Sequence, residues 1–195
     1  MRPAAGLVVA GAVLGTLLDG VHVATATTRY TSPALLGLAW WAPLLFAGAS
    51  LAIGISHVTT DRLLGRDVRP EARGVVAGLV LLLALWATSG LLKPAQTALL
   101  VLAPASVVIW LALDGTAVGL GLAVATAAMG VVVEATLVSL GAFTYVAPDA
   151  GRVASWLPWL YVAASVAVGN YARWLVGTTG SGPTRVPSTG SRPAR

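Results

Sequence analysis

Apolar residues fill six long stretches of this chain, and short polar segments separate them. Each stretch is close to the length of about 20 residues that a helix needs to cross the hydrocarbon core of a bilayer. The stretches cover residues 5–26, 34–57, 73–92, 95–113, 117–140 and 153–176. The pattern predicts an all-α membrane protein, a bundle of six transmembrane helices within residues 1–176.

The composition agrees with a membrane class and excludes several kinds of chemistry. Hydrophobic residues make up 57% of the chain and charged residues only 10%, whereas a soluble domain carries about 25% charged residues. The chain has no cysteine, which excludes disulfides, thiol catalysis and thiolate metal sites. Residues 177–195 are rich in Gly, Ser, Thr, Pro and Arg, a composition that predicts a disordered basic tail.

The distribution of basic residues predicts how the bundle is inserted. An even number of spans places both termini on one side of the membrane, where an excess of Lys and Arg marks the cytoplasm. That side holds Arg2, Arg62, Arg66, Arg69, Arg73, Arg173, Arg185, Arg192 and Arg195, and the other side holds Arg29, Lys93 and Arg152. We therefore expect both termini to be cytoplasmic, and the net charge of +5 to reflect loops beside anionic headgroups rather than nucleic-acid binding.

Two spans begin with the same aromatic and proline pattern. Trp41-Ala42-Pro43 introduces the second span, and Trp156-Leu157-Pro158 introduces the sixth, shortly after Tyr145. Tryptophan and tyrosine are typical of the membrane interface, and a proline about one turn inside a helix bends it. Two bent helices would leave a wedge into which a lipid could enter. We therefore expect five residues of this pattern to contact the lipid: Trp41, Pro43, Tyr145, Trp156 and Pro158. Both spans run in the same direction, and we expect no fixed-period repeat.

Two carboxylates, Asp19 and Glu134, lie inside predicted spans, where a charge costs at least about 2.5–3.5 kcal/mol. Asp19 and His22 continue the helical stripe of Gly11 and Gly15, and small residues on such a stripe allow close helix contact. The carboxylates could bond to each other, to His22 or to backbone carbonyls. Together with His22 they could instead hold the polar group of a lipid, or the carboxylates could form a proton pathway. Small-residue stripes also leave homo-oligomerisation possible.

Catalytic, metal and cofactor sites are not expected. The chain has no H-E-x-x-H and no Gly-x-Ser-x-Gly, the patterns of zinc proteases and serine hydrolases. An intramembrane enzyme that uses Asp19 and His22 as an acid–base pair stays an alternative. His57, at the end of the second span, is expected at the interface. Asp114 follows the fourth span and precedes Gly115, where an Asp can cap the next helix.

Several short segments, in one order along the chain, carry a resemblance to a known family. They are Ala39-Trp40-Trp41-Ala42-Pro43, Asp61-Arg62-Leu63-Leu64-Gly65, Trp110-Leu111-Ala112-Leu113-Asp114, Gly119-Leu120-Gly121, Tyr145, Pro148-Asp149, Ser155-Trp156-Leu157-Pro158 and Gly169-Asn170. With these segments the chain resembles the Insig (insulin-induced gene) family, six-span membrane proteins of the endoplasmic reticulum in animals. The resemblance covers about residues 38–175.

The resemblance implies a regulator that binds a lipid inside the membrane. Family members bind oxysterols inside the membrane and hold an escort protein. Asp114 corresponds to the acidic residue that family members use near their contact with this escort protein. Only Lys93 of the twelve basic residues is a lysine, and the richness in Ala, Gly and Val is typical of a GC-rich, actinobacterial genome. We therefore expect a lipid sensor or partner-binding regulator in a bacterial cytoplasmic membrane, with diacylglycerol, a phospholipid or a sterol-like molecule as ligand. A small proton-coupled transporter is the alternative.

Overall fold

The computed structural model describes residues 2–180 and has six long helices, as the sequence predicts. The first, α1 (residues 2–24), consists of the α-helix Arg2–Ala10, the π-helical turn Gly11–Gly15 and the α-helix Thr16–Ala24. The others are α2 (Ala42–Leu63), α3 (Ala72–Leu91), α4 (Ala95–Leu113), α5 (Ala117–Ser139) and α6 (Leu157–Gly180). The sixth helix thus reaches Gly180, and the rest of the predicted tail lies outside the described residues.

Two helix starts differ from the predicted ones, because the prolines begin helices instead of bending them. α2 starts at Ala42 with Pro43 in its first turn, a position where the missing proline N–H costs nothing. The preceding segment, predicted as helix from residue 34, is a turn in which Leu36 and Gly37 have positive φ angles of 54° and 78°. α6 likewise starts at Leu157, with Pro158 next, instead of at residue 153.

The sixth helix forms the centre of the bundle. It packs against each of the other five helices, and its residues are mostly buried, with Leu160, Ala163 and Val166 fully enclosed. Helices α1 to α5 are each long and apolar enough to cross a membrane, and their outer faces carry exposed Val and Leu side chains. This is the arrangement expected of a core helix surrounded by lipid-facing helices. The direction of insertion stays a prediction.

A small antiparallel sheet closes one end of the bundle, which we call the strand end. Strand β1 (Thr28–Tyr30) follows α1, and strand β2 (Phe143–Tyr145) follows α5. Arg29 lies opposite Thr144 at the centre of this pairing. Strands of three residues carry no detectable alternation, which is why the sequence did not predict them.

The two strands belong to an internal repeat that the sequence analysis did not find. Elements α1–β1–α2 and α5–β2–α6 correspond at a constant separation of 115 positions, which relates Tyr30 to Tyr145. The isolated bridge Leu35–Leu38 has its counterpart in Ala150–Val153. Further corresponding pairs are Gly15 and Gly130, Asp19 and Glu134, Ala26 and Gly141, Leu36 and Gly151, Trp41 and Trp156, Pro43 and Pro158, Phe46 and Tyr161, Ser50 and Ser165, and Gly54 and Gly169.

The backbone obeys the same relation, with a pseudo-twofold axis through the centre of the sheet. Thr31 N donates to Ala142 O at 3.2 Å, and the corresponding Val146 N donates to Thr27 O at 3.0 Å. Ala26 and its counterpart Gly141 both have positive φ angles, 51° and 72°. The hairpin α3–α4 is inserted between the two repeats and has no counterpart. The fold is therefore a duplicated helix pair with one additional hairpin.

Gly169 makes a close helix contact that a larger residue would disrupt. A Cβ at this position would lie 2.5 Å from Nδ1 of the buried His57 ring, so we expect Gly169→Ala to lower the free energy of unfolding by about 1–3 kcal/mol. Gly74→Ala is the matched control, because a Cβ there has no neighbour within 4 Å. Unfolding in mixed detergent micelles, followed by circular dichroism, measures both. Equal stability of the two variants would contradict this contact.

Candidate functional site

A cavity of about 720 Å³ lies between the two repeats. Its walls come from α1, α2, α3, α5, α6 and both strands, and most of the lining side chains are apolar. The polar lining groups concentrate where α1 and α5 approach the sheet, and they include Asp19, His22, Thr28, Tyr30, Glu134 and Tyr145. The cavity is thus an apolar chamber with a polar end near the sheet.

Tyrosine hydroxyls hold both carboxylates at that polar end. Tyr30 donates to Oδ2 of Asp19, and Tyr145 donates to Oε2 of Glu134. Tyr161 donates to the other oxygen of Glu134, Oε1, at 2.6 Å. The expected bonds between the two carboxylates, or from Asp19 to His22, are not present among the described residues. In each repeat the carboxylate is instead held by the tyrosine eleven positions later.

His22 is held by α3 and by two tryptophan rings. Its Nε2 lies 2.8 Å from Oγ of Ser89. The ring stacks on Trp86 with centroids 5.6 Å apart and meets Trp156 at 5.5 Å. His22 is 4% exposed and still lines the cavity, so these contacts fix the orientation of its ring.

The residues of the aromatic and proline pattern lie behind the cavity wall. Trp41 packs edge-on against Tyr30 with ring centroids 5.5 Å apart, and Trp156 meets Tyr145 at 6.1 Å. Neither tryptophan lines the cavity, and neither do the prolines that follow them. The two tryptophans therefore support the carboxylate-binding tyrosines, and among the five pattern residues only Tyr145 faces the cavity.

The cavity opens sideways between α2 and α5. Leu44 and Ala52 of α2, and Ala125 and Met129 of α5, line it and are also exposed on the outer surface. The predicted wedge between the second and sixth spans does not exist, because α2 and α6 pack directly on each other. The prolines begin both helices without bending them, so these helices stay in contact. An opening is present, but between a different pair of helices.

The end of the bundle opposite the sheet contains a buried ion cluster. Nε of Arg173 lies 2.6 Å from Oδ2 of Asp61, and its Nη1 lies 2.9 Å from Oδ2 of Asp114. The Arg173 side chain is only 2% exposed, and its Nη1 also donates to Oδ1 of Asn170 at 3.1 Å. Since each carboxylate comes from a different helix end, the cluster joins α2, α4 and α6.

Asp114 is occupied by contacts within the chain. Besides Arg173, it accepts hydrogen bonds from the hydroxyl and the backbone N–H of Thr116, and Oγ1 of Thr116 in turn accepts from Gly119 N at 3.0 Å at the start of α5. Burial alone would raise the pKa of Asp114, but the hydrogen bonds from Thr116 and Arg173 and the Arg173 charge hold that pKa below its ordinary value. The carboxylate has a structural role in joining helix ends.

His57 is buried beside this cluster, at 1% exposure. The expectation that it lies at the membrane interface was therefore wrong. Its Nε2 lies 3.0 Å from Oγ of Ser165. Ser165 in turn accepts a hydrogen bond of 3.2 Å from the hydroxyl of Thr126, which lines the cavity. Within residues 2–180 no group of three or more His, Asp or Glu side chains is arranged to hold a metal ion.

Sequence reasoning missed Tyr30, Tyr161, Asp61 and Arg173. One signal could have found Tyr30: each membrane carboxylate is followed eleven residues later by a tyrosine, at Tyr30 and at Tyr145. Asp61 and Arg173 are 112 positions apart, and both lie near predicted span ends, where charged residues normally contact headgroups. Their pairing has no local signal in the sequence.

Comparison with known proteins finds insulin-induced gene proteins among the relatives of this chain, although no family model matches it. Insulin-induced gene 1 protein of Danio rerio is 29% identical over 176 residues, which cover 87% of this chain and 70% of that protein. Insulin-induced gene 2 protein of Gallus gallus is 28% identical, over 85% of this chain and 76% of that protein. The human insulin-induced gene 1 protein is 27% identical and is longer, since the match covers 62% of it.

A solved structure has the same fold. The mycobacterial Insig homolog from Mycobacterium vanbaalenii superimposes with a TM-score of 0.82 at 27% identity, over 90% of this chain and 95% of that one. A cross-linked trimer of that homolog superimposes with a TM-score of 0.81. The similarity thus extends over nearly the whole described bundle.

We expect Arg173→Met to destabilise the protein strongly. Removing the cation leaves Asp61 with Arg66 alone, 3.1 Å away, and Asp114 with the hydrogen bonds from Thr116 alone, and breaking a buried ion pair in this way costs about 3–5 kcal/mol. Arg69→Met is the control, because the Arg69–Asp67 pair is exposed and such pairs contribute about 0–1 kcal/mol. Unfolding in mixed micelles measures both losses. A loss for Arg173→Met as small as for Arg69→Met would show that the cluster contributes little.

The cluster also predicts acid sensitivity. Because the pKa of Asp114 is lower in the folded protein, its contribution is complete at neutral pH and is lost as the pH falls below the unfolded value of about 3.9. We expect Asp114→Asn to be less stable than the unchanged protein at pH 7 and to lose less stability between about pH 5 and pH 3. Unfolding midpoints over this range test the difference, and parallel pH profiles would contradict it.

Proposed function

Because this chain is a homologue of the Insig proteins and shares their membrane fold, we propose that it binds a lipid from the bilayer in the cavity between its two repeats. The observation that carries this proposal is the sideways opening between α2 and α5 into an apolar chamber with one polar end. The bacterial relative accords with the predicted bacterial origin, and we place the protein in the cytoplasmic membrane.

The size and lining of the cavity support a lipid ligand. Its volume of about 720 Å³ lies within the range of about 300–1,000 Å³ that is usual for ligand sites. Such sites combine apolar walls with a few polar groups that orient the ligand. The apolar walls fit acyl chains or a ring system, and the polar end near the sheet fits a small head.

The charge of the polar end favours a neutral lipid. Asp19 and Glu134 both line that end, and the described residues place no Lys or Arg in the cavity lining. A phosphate among these carboxylates would meet like charges and find no cation to pair with. Of the three expected ligand classes, diacylglycerol and sterol-like molecules therefore fit better than a phospholipid.

The geometry supports binding over catalysis. Asp19 is held by Tyr30 and His22 by Ser89, so the acid–base pair that an enzyme would need is not formed. The proton pathway of the transport alternative would connect Asp19 and Glu134, but each is held by its own tyrosine. We propose a lipid sensor, whose occupied and empty states a partner could distinguish.

Two partner proposals remain beside the lipid. The cross-linked trimer of the mycobacterial homolog supports the predicted homo-oligomer. A partner protein that contacts Asp114 would have to displace Arg173 or approach the rim of the ion cluster, because the Asp114 side chain is 3% exposed.

We expect the purified protein to retain a bound lipid, and we expect a substitution that blocks the opening to remove this lipid. Ala125→Trp places a large ring at the mouth of the cavity, whereas Val124→Trp, next to it and exposed, does not line the cavity. Mass spectrometry of organic extracts gives the lipid-to-protein ratio. We expect this ratio to fall toward zero only for Ala125→Trp, with both variants folded. An unchanged ratio in Ala125→Trp, or no bound lipid in the unchanged protein, would refute the proposal.

A further inference from the structure

The two repeats differ at the position that decides how each carboxylate is occupied. Tyr161 of α6 donates to Oε1 of Glu134, and the residue that corresponds to Tyr161 in the first repeat is Phe46. Both rings pack against a glycine of the helix that carries the carboxylate, Phe46 with its Cβ and Cγ and Tyr161 with its outer ring atoms. A Cβ on Gly15 would lie 2.5 Å from the Phe46 ring, and a Cβ on Gly130 would lie 2.5 Å from the Tyr161 ring.

The missing hydroxyl leaves one oxygen of Asp19 open. Glu134 has both oxygens occupied, by Tyr145 and Tyr161. Asp19 receives a hydrogen bond from Tyr30 on Oδ2 only, and no described residue donates to Oδ1. Asp19 is 6% exposed and lines the cavity, and its Oδ1 is not enclosed by protein. A carboxylate oxygen that faces an apolar cavity without a donor is costly, so a ligand that supplies a donor gains from binding there.

Two further differences make the first repeat the polar one. The counterpart of Thr28 is Phe143, and the counterpart of His22 is Leu137. Thr28 lines the cavity, is 3% exposed, and its hydroxyl has no hydrogen-bond partner among residues 2–180. The unsatisfied acceptor and the unsatisfied hydroxyl thus belong to the same repeat. The second repeat presents a saturated carboxylate and apolar groups at the same places.

We propose that the first repeat alone recognises the ligand, through an alcohol hydroxyl that donates to Oδ1 of Asp19. This inference rests on the proposed lipid binding and adds where and how the head is held. A hydroxyl donates without carrying a charge, whereas a phosphate diester oxygen cannot donate and an ammonium group would bring a charge into the apolar chamber. Diacylglycerols and sterols share this hydroxyl. Glu134 has a positioning role, since it holds Tyr145 and Tyr161 in the cavity wall.

The test compares lipids that differ only in that hydroxyl. Delipidated full-length protein in detergent is titrated with a diacylglycerol and its methyl ether, and separately with cholesterol and cholesteryl methyl ether. For at least one pair we expect the alcohol to bind about tenfold or more tightly than the ether, as for one hydrogen bond to a charged group. The pair that shows the difference identifies the source of the hydroxyl.

Matched variants of the two repeats locate the contact. Phe46→Tyr supplies the hydroxyl that the first repeat lacks, so it should occupy Oδ1 of Asp19 and abolish the preference for the alcohol. Tyr161→Phe opens an oxygen of Glu134 and leaves Asp19 unchanged, so the preference should be kept or strengthened. Asp19→Asn keeps the shape, accepts from Tyr30 through its oxygen and presents an amide nitrogen that donates and cannot accept. It should therefore lose the preference for the alcohol, and it serves as the second variant if Phe46→Tyr does not fold.

The outcomes separate this inference from the proposed function. Equal binding of alcohol and ether by the unchanged protein would overturn the inference and leave lipid binding intact, whereas binding of none of the four probes would overturn both. A preference that survives in Phe46→Tyr and Asp19→Asn, or that disappears in Tyr161→Phe, would also overturn the assignment to the first repeat.

Discussion

A carboxylate inside an apolar bundle must find its hydrogen-bond donors within the protein, because hydrocarbon supplies none. This constraint accounts for both ends of the structure. Near the sheet, strands β1 and β2 return into the bundle and bring Tyr30 and Tyr145 to Asp19 and Glu134. At the other end, Arg173 lies between Asp61 and Asp114. The tyrosine donors fix the position of the two strands, and the Arg173 donors fix the ends of three helices.

The first of these solutions occurs twice because the chain contains a duplicated unit. Each copy has a carboxylate, a tyrosine eleven residues later, and a tryptophan that packs against that tyrosine from behind. The two repeats share the residues that hold each carboxylate in place and differ in residues that line the cavity. A binding site with one occupant requires such a difference. Two identical half-sites would offer a single ligand head the same contacts twice, and one set would stay unsatisfied.

The sequence was sufficient for what depends on local pattern and insufficient for what depends on distant pairing. Six apolar stretches predicted six helices because burial in hydrocarbon sets their length and composition. Trp41 and Pro43 were assigned to the interior of a bent helix, but Pro43 is compatible with a helix start and that is where it lies. The repeat was missed although Tyr30, Trp41 and Pro43 have identical counterparts 115 positions later. Most of the other identical pairs are Ala, Gly, Val or Leu, and matches of these residues are common in a chain of this composition.

The side opening follows from the duplication and the inserted hairpin taken together. The pseudo-twofold axis relates α1 to α5 and α6 to α2, so the gap between α1 and α6 is equivalent to the gap between α5 and α2. The hairpin α3–α4 packs on α6, and α3 also packs on the end of α1, which covers the first gap. No described element covers the gap between α5 and α2 in the same way, and Leu44 and Met129 stay exposed there. One hairpin on a twofold scaffold closes one side and leaves the other open to the bilayer.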